Sequence, residues 1–72
     1  MEVDALTEGE KRVEISFNPS QNPNVDYIKT RTADLIDYIL GAGVDARTAA
    51  LAATAYEDAV MWAVKSITKP KE

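Results

Sequence analysis

The chain has 72 residues, with 8 Lys and Arg against 12 Asp and Glu, so its net charge is −4, and it contains neither Cys nor His. This length allows one small domain, and the missing residue types exclude disulfides, thiolate metal sites and histidine-based catalysis. The acidic balance argues against binding of DNA or RNA polymers, which requires a broad basic surface. A core of this size is marginal alone, so self-association is the expected way to stabilise it.

The N-terminal part is predicted to be a frayed lead-in or a short first turn at residues 1–10, followed by a strand at 11–17. The lead-in contains four acidic residues and is unlike the basic start of a signal peptide. In the next segment Val13, Ile15 and Phe17 alternate with polar residues, and a period of two predicts a half-buried strand with Phe17 in the core. One strand is unstable alone, so this one is expected to pair or to lie against helices.

A first helix is predicted over residues 23–40. Asn22 is a suitable N-cap, and Pro23 suits the first helical position because its missing N–H would be unpaired there anyway. Apolar side chains then recur at helical spacing. Gly41 and Gly43 are expected to end the helix, since glycine readily takes the left-handed conformation of a C-cap.

A second helix is predicted over residues 46–69, with Asp45 as its N-cap and Pro70 as its stop. The connection between the helices is short, which favours an antiparallel hairpin. The predicted fold is therefore mainly α, a two-helix hairpin with a short N-terminal strand, forming a single domain over residues 11–72. No apolar run approaches the length of a membrane span, so neither a membrane partner nor a location outside the cytoplasm is expected.

The second helix is apolar on most sides, and such a helix is buried on most sides. One partner helix cannot cover it, so we expect the hairpin to pack against copies of itself, with Trp62 as an anchor between subunits. The alternative is a Trp62 inside a monomeric hairpin core. The residues expected at the oligomer interface are Leu51, Tyr56, Ala59 and Trp62.

Charged side chains indicate binding rather than catalysis. The carboxylate pairs of the helices are typical of solvated faces and ion pairs, and no nucleophile has a histidine partner, so no enzyme activity, metal or cofactor is expected. Arg47 lies in the first turn of the second helix, where a cation is unfavourable unless an anion binds. The alternative is a surface pair of Arg47 with Asp45 or with a Glu. The C-terminal end of the same helix carries negative partial charge, and three lysines there are expected to stabilise it: Lys65, Lys69 and Lys71.

Two segments, "FNPSQNPNVDYIKTRTADLIDYI" and "RTAALAATAYEDAVMWAVKSIT", together resemble the phage anti-CBASS nucleotide sponges and the related hairpin of the anti-Thoeris sponges. The resemblance covers residues 17–68. It implies a protein of the infected host's cytoplasm that binds cyclic oligonucleotide messengers without cleaving them, so that CBASS effectors stay inactive. It also implies a compact homohexamer with one class of pocket for cyclic dinucleotides such as cGAMP and another for cyclic trinucleotides.

The resemblance also implies ligand-binding residues. The cyclic dinucleotide pocket of the family uses a lysine early in the first helix, matched by Lys29, and an aromatic residue, for which Phe17 and Tyr27 are the candidates. The cyclic trinucleotide pocket uses an arginine, matched by Arg47, and a threonine, for which Thr32 and Thr30 are the candidates. Two alternative functions are a sponge for a cyclic ADP-ribose-type Thoeris signal and a protein-interaction hairpin without any small ligand.

Overall fold

The computed structural model describes residues 5–69, which form α1 (Glu8–Arg12), α2 (Pro23–Ala42) and α3 (Ala46–Thr68). The two long helices agree with the predicted ones, except that α2 ends two residues later and α3 one residue earlier. Residues 1–4 of the predicted lead-in lie outside the described residues. So do Pro70, the predicted helix stop, and Lys71, the last of the three lysines expected near the helix end.

The strand predicted over residues 11–17 is wrong, because α1 and a turn occupy residues 8–16. Thr7 and Glu10 form a capping box: the Glu10 N–H donates to the Thr7 hydroxyl at 3.1 Å, and the Thr7 N–H donates to the Glu10 carboxylate at 2.9 Å. This arrangement satisfies two donors at the start of α1 that have no partner within the helix. The pattern Thr-x-x-Glu therefore begins a helix inside the predicted lead-in.

α1 ends in a Schellman motif, in which two N–H groups return to carbonyls of the last helical turn. The Ile15 N–H donates to the Glu10 carbonyl at 3.0 Å, and the Glu14 N–H donates to the Lys11 carbonyl at 3.2 Å. The motif requires a left-handed residue, and Glu14 takes that role with φ of 55°. The backbone therefore changes direction at Glu14, within the segment that was predicted to be an extended strand.

Because of this reversal, the side chains predicted to be buried in residues 13–17 are only partly the ones that are buried. Val13 is buried in the core and Ile15 is half-buried against it, as the alternation predicted. Phe17, which the alternation placed in the core, is 62% exposed, so that prediction is wrong. Phe17 follows the turn of residues 13–16, and beyond that turn strand-like alternation no longer decides which side a residue faces.

The predicted helical hairpin is confirmed, and α2 and α3 pack antiparallel with a small core between them. Residues near the start of α2, such as Val25, line the same hollow as Val64 and Thr68 near the end of α3. Several core residues are small, which lets the backbones approach closely. The buried apolar residues of the described part are Val13, Val25, Ala33, Ile36, Ala49, Ala53 and Val60.

The connection between α2 and α3 differs from the predicted left-handed cap. Gly41 lies within α2, and Gly43 is the C-cap with φ of −65° and ψ of 132°, which is extended backbone. Glycine is needed at position 43 for space, because a Cβ there would lie 2.8 Å from the Ile39 carbonyl oxygen and 2.9 Å from the Ala49 Cβ. Val44 follows at the tip of the hairpin, and its side chain is fully exposed.

α1 is fastened across both long helices. The Gly9 N–H donates to the Asp37 carboxylate at 2.7 Å, and a Cβ at position 9 would lie only 2.2 Å from the Ala33 carbonyl oxygen. On the other side, the Arg12 guanidinium forms an ion pair with Glu57 of α3 at 3.2 Å. These contacts hold the turn that follows α1 over the junction between α2 and α3.

Candidate functional site

Lys29 and Phe17 meet beneath the turn that follows α1. Lys29 is only 5% exposed, and its ammonium group donates to the Glu14 carbonyl at 2.9 Å and to the Phe17 carbonyl. The same ammonium nitrogen lies 5.4 Å from the centre of the Phe17 ring, which is within the range of a cation–π contact. The structure therefore brings together one of the candidate aromatic residues and the candidate lysine.

A cleft of about 320 Å³ opens beside these two residues, between the turn and α3. Its wall combines the exposed Phe17 ring with aliphatic side chains, and three cations and two acids lie around it. An aromatic face with nearby cations suits a flat base and a phosphate. The residues that line the cleft are Arg12, Val13, Glu14, Phe17, Lys29, Glu57, Val60, Met61, Val64 and Lys65.

A second hollow of about 210 Å³ lies along the loop of residues 18–22, and Phe17 and Lys29 line this one too. The loop is held by side-chain amides: the Asn18 Nδ2 donates to the Asn22 carbonyl and to the Asp26 carboxylate, both at 3.0 Å. The Ser20 hydroxyl donates to the Asn18 Oδ1 at 2.8 Å. These bonds fix the conformation of the loop, and Phe17 lies between this hollow and the cleft and lines both.

Tyr27, the other candidate aromatic residue, does not share this cleft. It precedes Lys29 by two positions on α2, which places the two side chains on roughly opposite sides of a helix with ~3.6 residues per turn. Tyr27 is 62% exposed, and the Arg31 guanidinium carbon lies 5.2 Å from the centre of its ring. Within the chain, the aromatic residue next to Lys29 is therefore Phe17.

Arg47 and the candidate threonines do not meet within one chain. Arg47 is exposed in the first turn of α3, while Thr30 is exposed and Thr32 half-buried in the middle of α2. Thr32 lies ten residues before the end of α2, or roughly 15 Å along the axis at ~1.5 Å per residue. A site that uses Arg47 with either threonine would need residues from two copies.

Asp45 caps α3 and does not serve Arg47 as an ion-pair partner. Its carboxylate accepts hydrogen bonds from the Thr48 hydroxyl at 2.8 Å and from the Thr48 N–H at 3.2 Å. These bonds, the hydroxyl first, lower the pKa of Asp45 below its ordinary value, because they stabilise the charged form. Arg47 forms no ion pair with any residue between 5 and 69, so the predicted alternative of a pair with Asp45, or with a Glu of that part of the chain, is wrong.

The residues expected at an oligomer interface lie mostly on the outside of the hairpin. Leu51 is 58% and Trp62 64% exposed, Ala59 is exposed, and Tyr56 is half-buried against the core. The Lys65 ammonium lies 5.3 Å from the centre of the Trp62 ring. The exposure of Trp62 excludes the alternative in which it fills a monomeric core.

Sequence reasoning missed Arg12 and Lys65 as residues of the cleft, and it anticipated α1 only through the alternative of a short first turn within residues 1–10. The capping box of Thr7 and Glu10 is a recognisable sequence signal for the start of α1. Lys65 follows Trp62 by three residues, a spacing that places both side chains on one face of a helix. The pairing of Arg12 with Glu57 spans 45 residues and leaves no local signal.

Over residues 5–69, no group of three or more Asp and Glu side chains is arranged to hold a metal ion. None of the helices there has the length and apolar character that crossing a membrane requires.

Comparison with known proteins gives one family. The family described as "Acb2/Tad1, hairpin domain" matches residues 8–68, which is the span from the first residue of α1 to the last residue of α3. No curated protein and no solved structure matches the chain. The family match confirms the resemblance seen in the sequence, and the chain belongs to the Acb2/Tad1 hairpin domain family.

Proposed function

We propose that this chain is a phage immune-evasion protein that binds cyclic oligonucleotide second messengers in the cytoplasm of the infected bacterium. It holds them without degradation and thereby blocks activation of CBASS effectors. Family membership supports this proposal, since the Acb2/Tad1 hairpin family includes cyclic nucleotide sponges and its members are generally non-catalytic. A sponge requires affinity only, so it needs no catalytic group.

The observation that carries the proposal is the exposed Phe17 ring beside Lys29 at the edge of a cleft. A cyclic dinucleotide presents flat bases and phosphates close together. Stacking of one base on an aromatic side chain contributes about 1–3 kcal/mol, and nearby cations offset the phosphate charge. A pair of copies related by a twofold axis would present this aromatic residue and its neighbouring cations twice, matching the repeated bases and phosphates.

Self-association is part of the proposal, with a homohexamer as the expected assembly. The exposed strip of Leu51, Ala59 and Trp62 runs along α3, and exposed apolar strips of this kind favour contact with another chain. Sedimentation velocity of Trp62→Ala should show a smaller particle than the native chain. Tyr38→Ala is the matched control, because Tyr38 is a comparably exposed aromatic residue (69%) on α2. A Trp62→Ala protein of unchanged size would refute the interface.

A cyclic trinucleotide site is proposed where Arg47 of one copy approaches Thr30 or Thr32 of another. The exposure of Arg47 in the first turn of α3 supports an anion site there, since that helix end carries positive partial charge. Arg47→Ala should weaken binding of cyclic trinucleotides and leave binding of cyclic dinucleotides unchanged. Equal loss of both ligand classes would contradict a separate site.

The central test is isothermal titration with a panel of cyclic dinucleotides and trinucleotides. Phe17→Ala should weaken dinucleotide binding by about tenfold or more, because it removes the stacking surface. Tyr27→Ala, an equally exposed aromatic residue on the opposite side of α2, is the control and should bind as the native chain does. Bound ligand recovered intact after heat denaturation would distinguish sequestration from hydrolysis. No binding across the panel would end the proposal.

A second candidate function is sequestration of a cyclic ADP-ribose-type Thoeris signal, because the matching family description names both Acb2 and Tad1. The same titration extended to cyclic ADP-ribose isomers would distinguish the two ligand classes. A hairpin that acts only through protein contacts would bind neither class, and its activity would survive Phe17→Ala while failing in Trp62→Ala.

A further inference from the structure

Lys29 is the buried charged side chain of the described part of the chain, and its surroundings are backbone rather than carboxylate. Its ammonium group lies between the carbonyl oxygens of Glu14 and Phe17 and donates a hydrogen bond to each. Burying a charge is costly unless hydrogen bonds satisfy it, and here the carbonyls of one tight turn do so. The same bonds satisfy two carbonyls that the turn directs into the protein.

The turn from Glu14 to Phe17 depends on this lysine for its shape. Glu14 is in the left-handed region with φ of 55°, a conformation that costs free energy for a residue with a Cβ and persists only when its surroundings impose it. Within the turn, the Phe17 N–H donates to the Glu14 carbonyl at 2.8 Å. Lys29 donates to the carbonyls of both residues, which ties the first and last residues of the turn to α2 and so fixes where the Phe17 ring stands.

Lys65 also lines the cleft, but unlike Lys29 it is exposed to solvent. It lies on α3, and its ammonium is placed over the Trp62 ring rather than against a carboxylate. The third cation, Arg12, is already paired with Glu8 at 2.9 Å and with Glu57 at 3.2 Å. Among the described cations that line the cleft, Lys65 is therefore the one whose charge is not committed to a carboxylate or to buried carbonyls.

We propose that the two lysines of this cleft divide the work of binding a cyclic dinucleotide. Lys29 is a positioning residue that stays on the Glu14 and Phe17 carbonyls and presents the Phe17 ring to a base. Lys65 supplies the positive charge that faces a phosphate. This inference rests on the proposed function for its ligand and adds the roles of individual side chains within that site.

The first test is the salt dependence of cyclic GMP–AMP binding, measured by isothermal titration over a series of NaCl concentrations. A direct charge–phosphate contact is screened by salt, whereas a positioning effect is not. Lys65→Met should flatten the dependence on salt. Lys29→Met should weaken binding about tenfold at every salt concentration with an unchanged slope. Lys69→Met, which changes an exposed lysine outside the cleft, is the control. Flattening by Lys29→Met and none by Lys65→Met would overturn the proposal.

The second test asks whether Lys29 acts through Phe17. In a double-mutant cycle, Lys29→Met should add little to the loss caused by Phe17→Ala, because the ring it positions is already gone. Losses that simply multiply would show that Lys29 contacts cyclic GMP–AMP independently and would refute the positioning role.

The third test uses the native chain and so does not depend on a variant that folds. Scalar couplings across the hydrogen bonds from the Lys29 ammonium to the Glu14 and Phe17 carbonyl carbons should be visible by NMR and should persist when cyclic GMP–AMP is added. Their loss on addition would overturn the proposal. If the native chain binds no cyclic GMP–AMP, the ligand roles fall with the proposed function. In that case, couplings in the free protein still decide whether Lys29 holds the turn.

Discussion

Gly9 and Gly41 allow the same substitution to be tested at two positions where opposite results are expected. A Cβ at position 9 would lie 2.2 Å from the Ala33 carbonyl oxygen and 2.9 Å from the Asp37 carboxylate oxygen. Ordinary contact begins at 3.4 Å, so the gap must widen by more than an ångström. The Ala33 oxygen belongs to the backbone of α2 and cannot move that far without distorting the helix. In Gly9→Ala, α1 must therefore lift away from α2.

The expected loss of stability can be worked out from the hydrogen bond that this movement breaks. The Gly9 N–H bond to the Asp37 carboxylate, 2.7 Å long, is part-buried and joins a donor to a charged group, and such bonds contribute about 1.5–3 kcal/mol. Against this loss, alanine is more favourable than glycine in a helix by up to about 1 kcal/mol. The net expectation for Gly9→Ala is a loss of about 0.5–2 kcal/mol in the free energy of unfolding. For a domain of this size that lowers Tm by roughly 2–16 °C.

Gly41→Ala is the control, because Gly41 is helical and a Cβ there would meet nothing within 4 Å. It should stabilise the protein by about 0.5–1 kcal/mol. Both variants are to be compared with the native chain by urea and thermal unfolding at one protein concentration, since association alters apparent stability. A Gly9→Ala protein as stable as the Gly41→Ala protein would refute the close docking of α1 on α2.

Three further predictions concern single contacts. Glu14→Gly should raise the free energy of unfolding by about 1 kcal/mol, because glycine takes the left-handed conformation of Glu14 without steric cost, and a lower urea midpoint would contradict this. Ile36→Ala should cost about 2–5 kcal/mol, since Ile36 is fully buried, while its half-exposed neighbour Leu35 should tolerate alanine with a much smaller loss. Asp45 has a pKa below its ordinary 3.8 because of hydrogen bonds from Thr48, so its contribution to stability is present above that pH and is lost as the pH falls through the lowered value. The stability difference between the native chain and Asp45→Asn should accordingly shrink in acid unfolding series below about pH 4, and a difference that grows instead would contradict the capping role.

The two long helices could be predicted because their signals are local. Asn22 and Pro23 begin α2, Asp45 caps α3, and each helix repeats apolar residues at a helical period. The strand prediction failed because alternation over a few residues is also produced by a helix end followed by a turn. There, Val13 closes the core as the C-cap and Ile15 returns to it after the left-handed Glu14.

The candidate site was only partly predictable for a related reason. Lys29 and Phe17 could be named from the family resemblance, but their relation depends on tertiary structure. Lys29 donates hydrogen bonds to backbone carbonyls 12 and 15 residues away. No sequence pattern predicts that a lysine is buried against backbone carbonyls in this way. The choice between Phe17 and Tyr27 likewise depends on the turn after α1, which places one ring beside the lysine and leaves the other on the far side of α2.

The tip of the hairpin offers a labelling position. Val44 is fully exposed between the ends of α2 and α3, it lies away from the cleft, and the chain contains no cysteine. Val44→Cys would therefore provide a single thiol for a fluorophore, with no native sulfhydryl to compete for the dye. Energy transfer between labelled tips would then count the subunits in each particle and follow their exchange in real time.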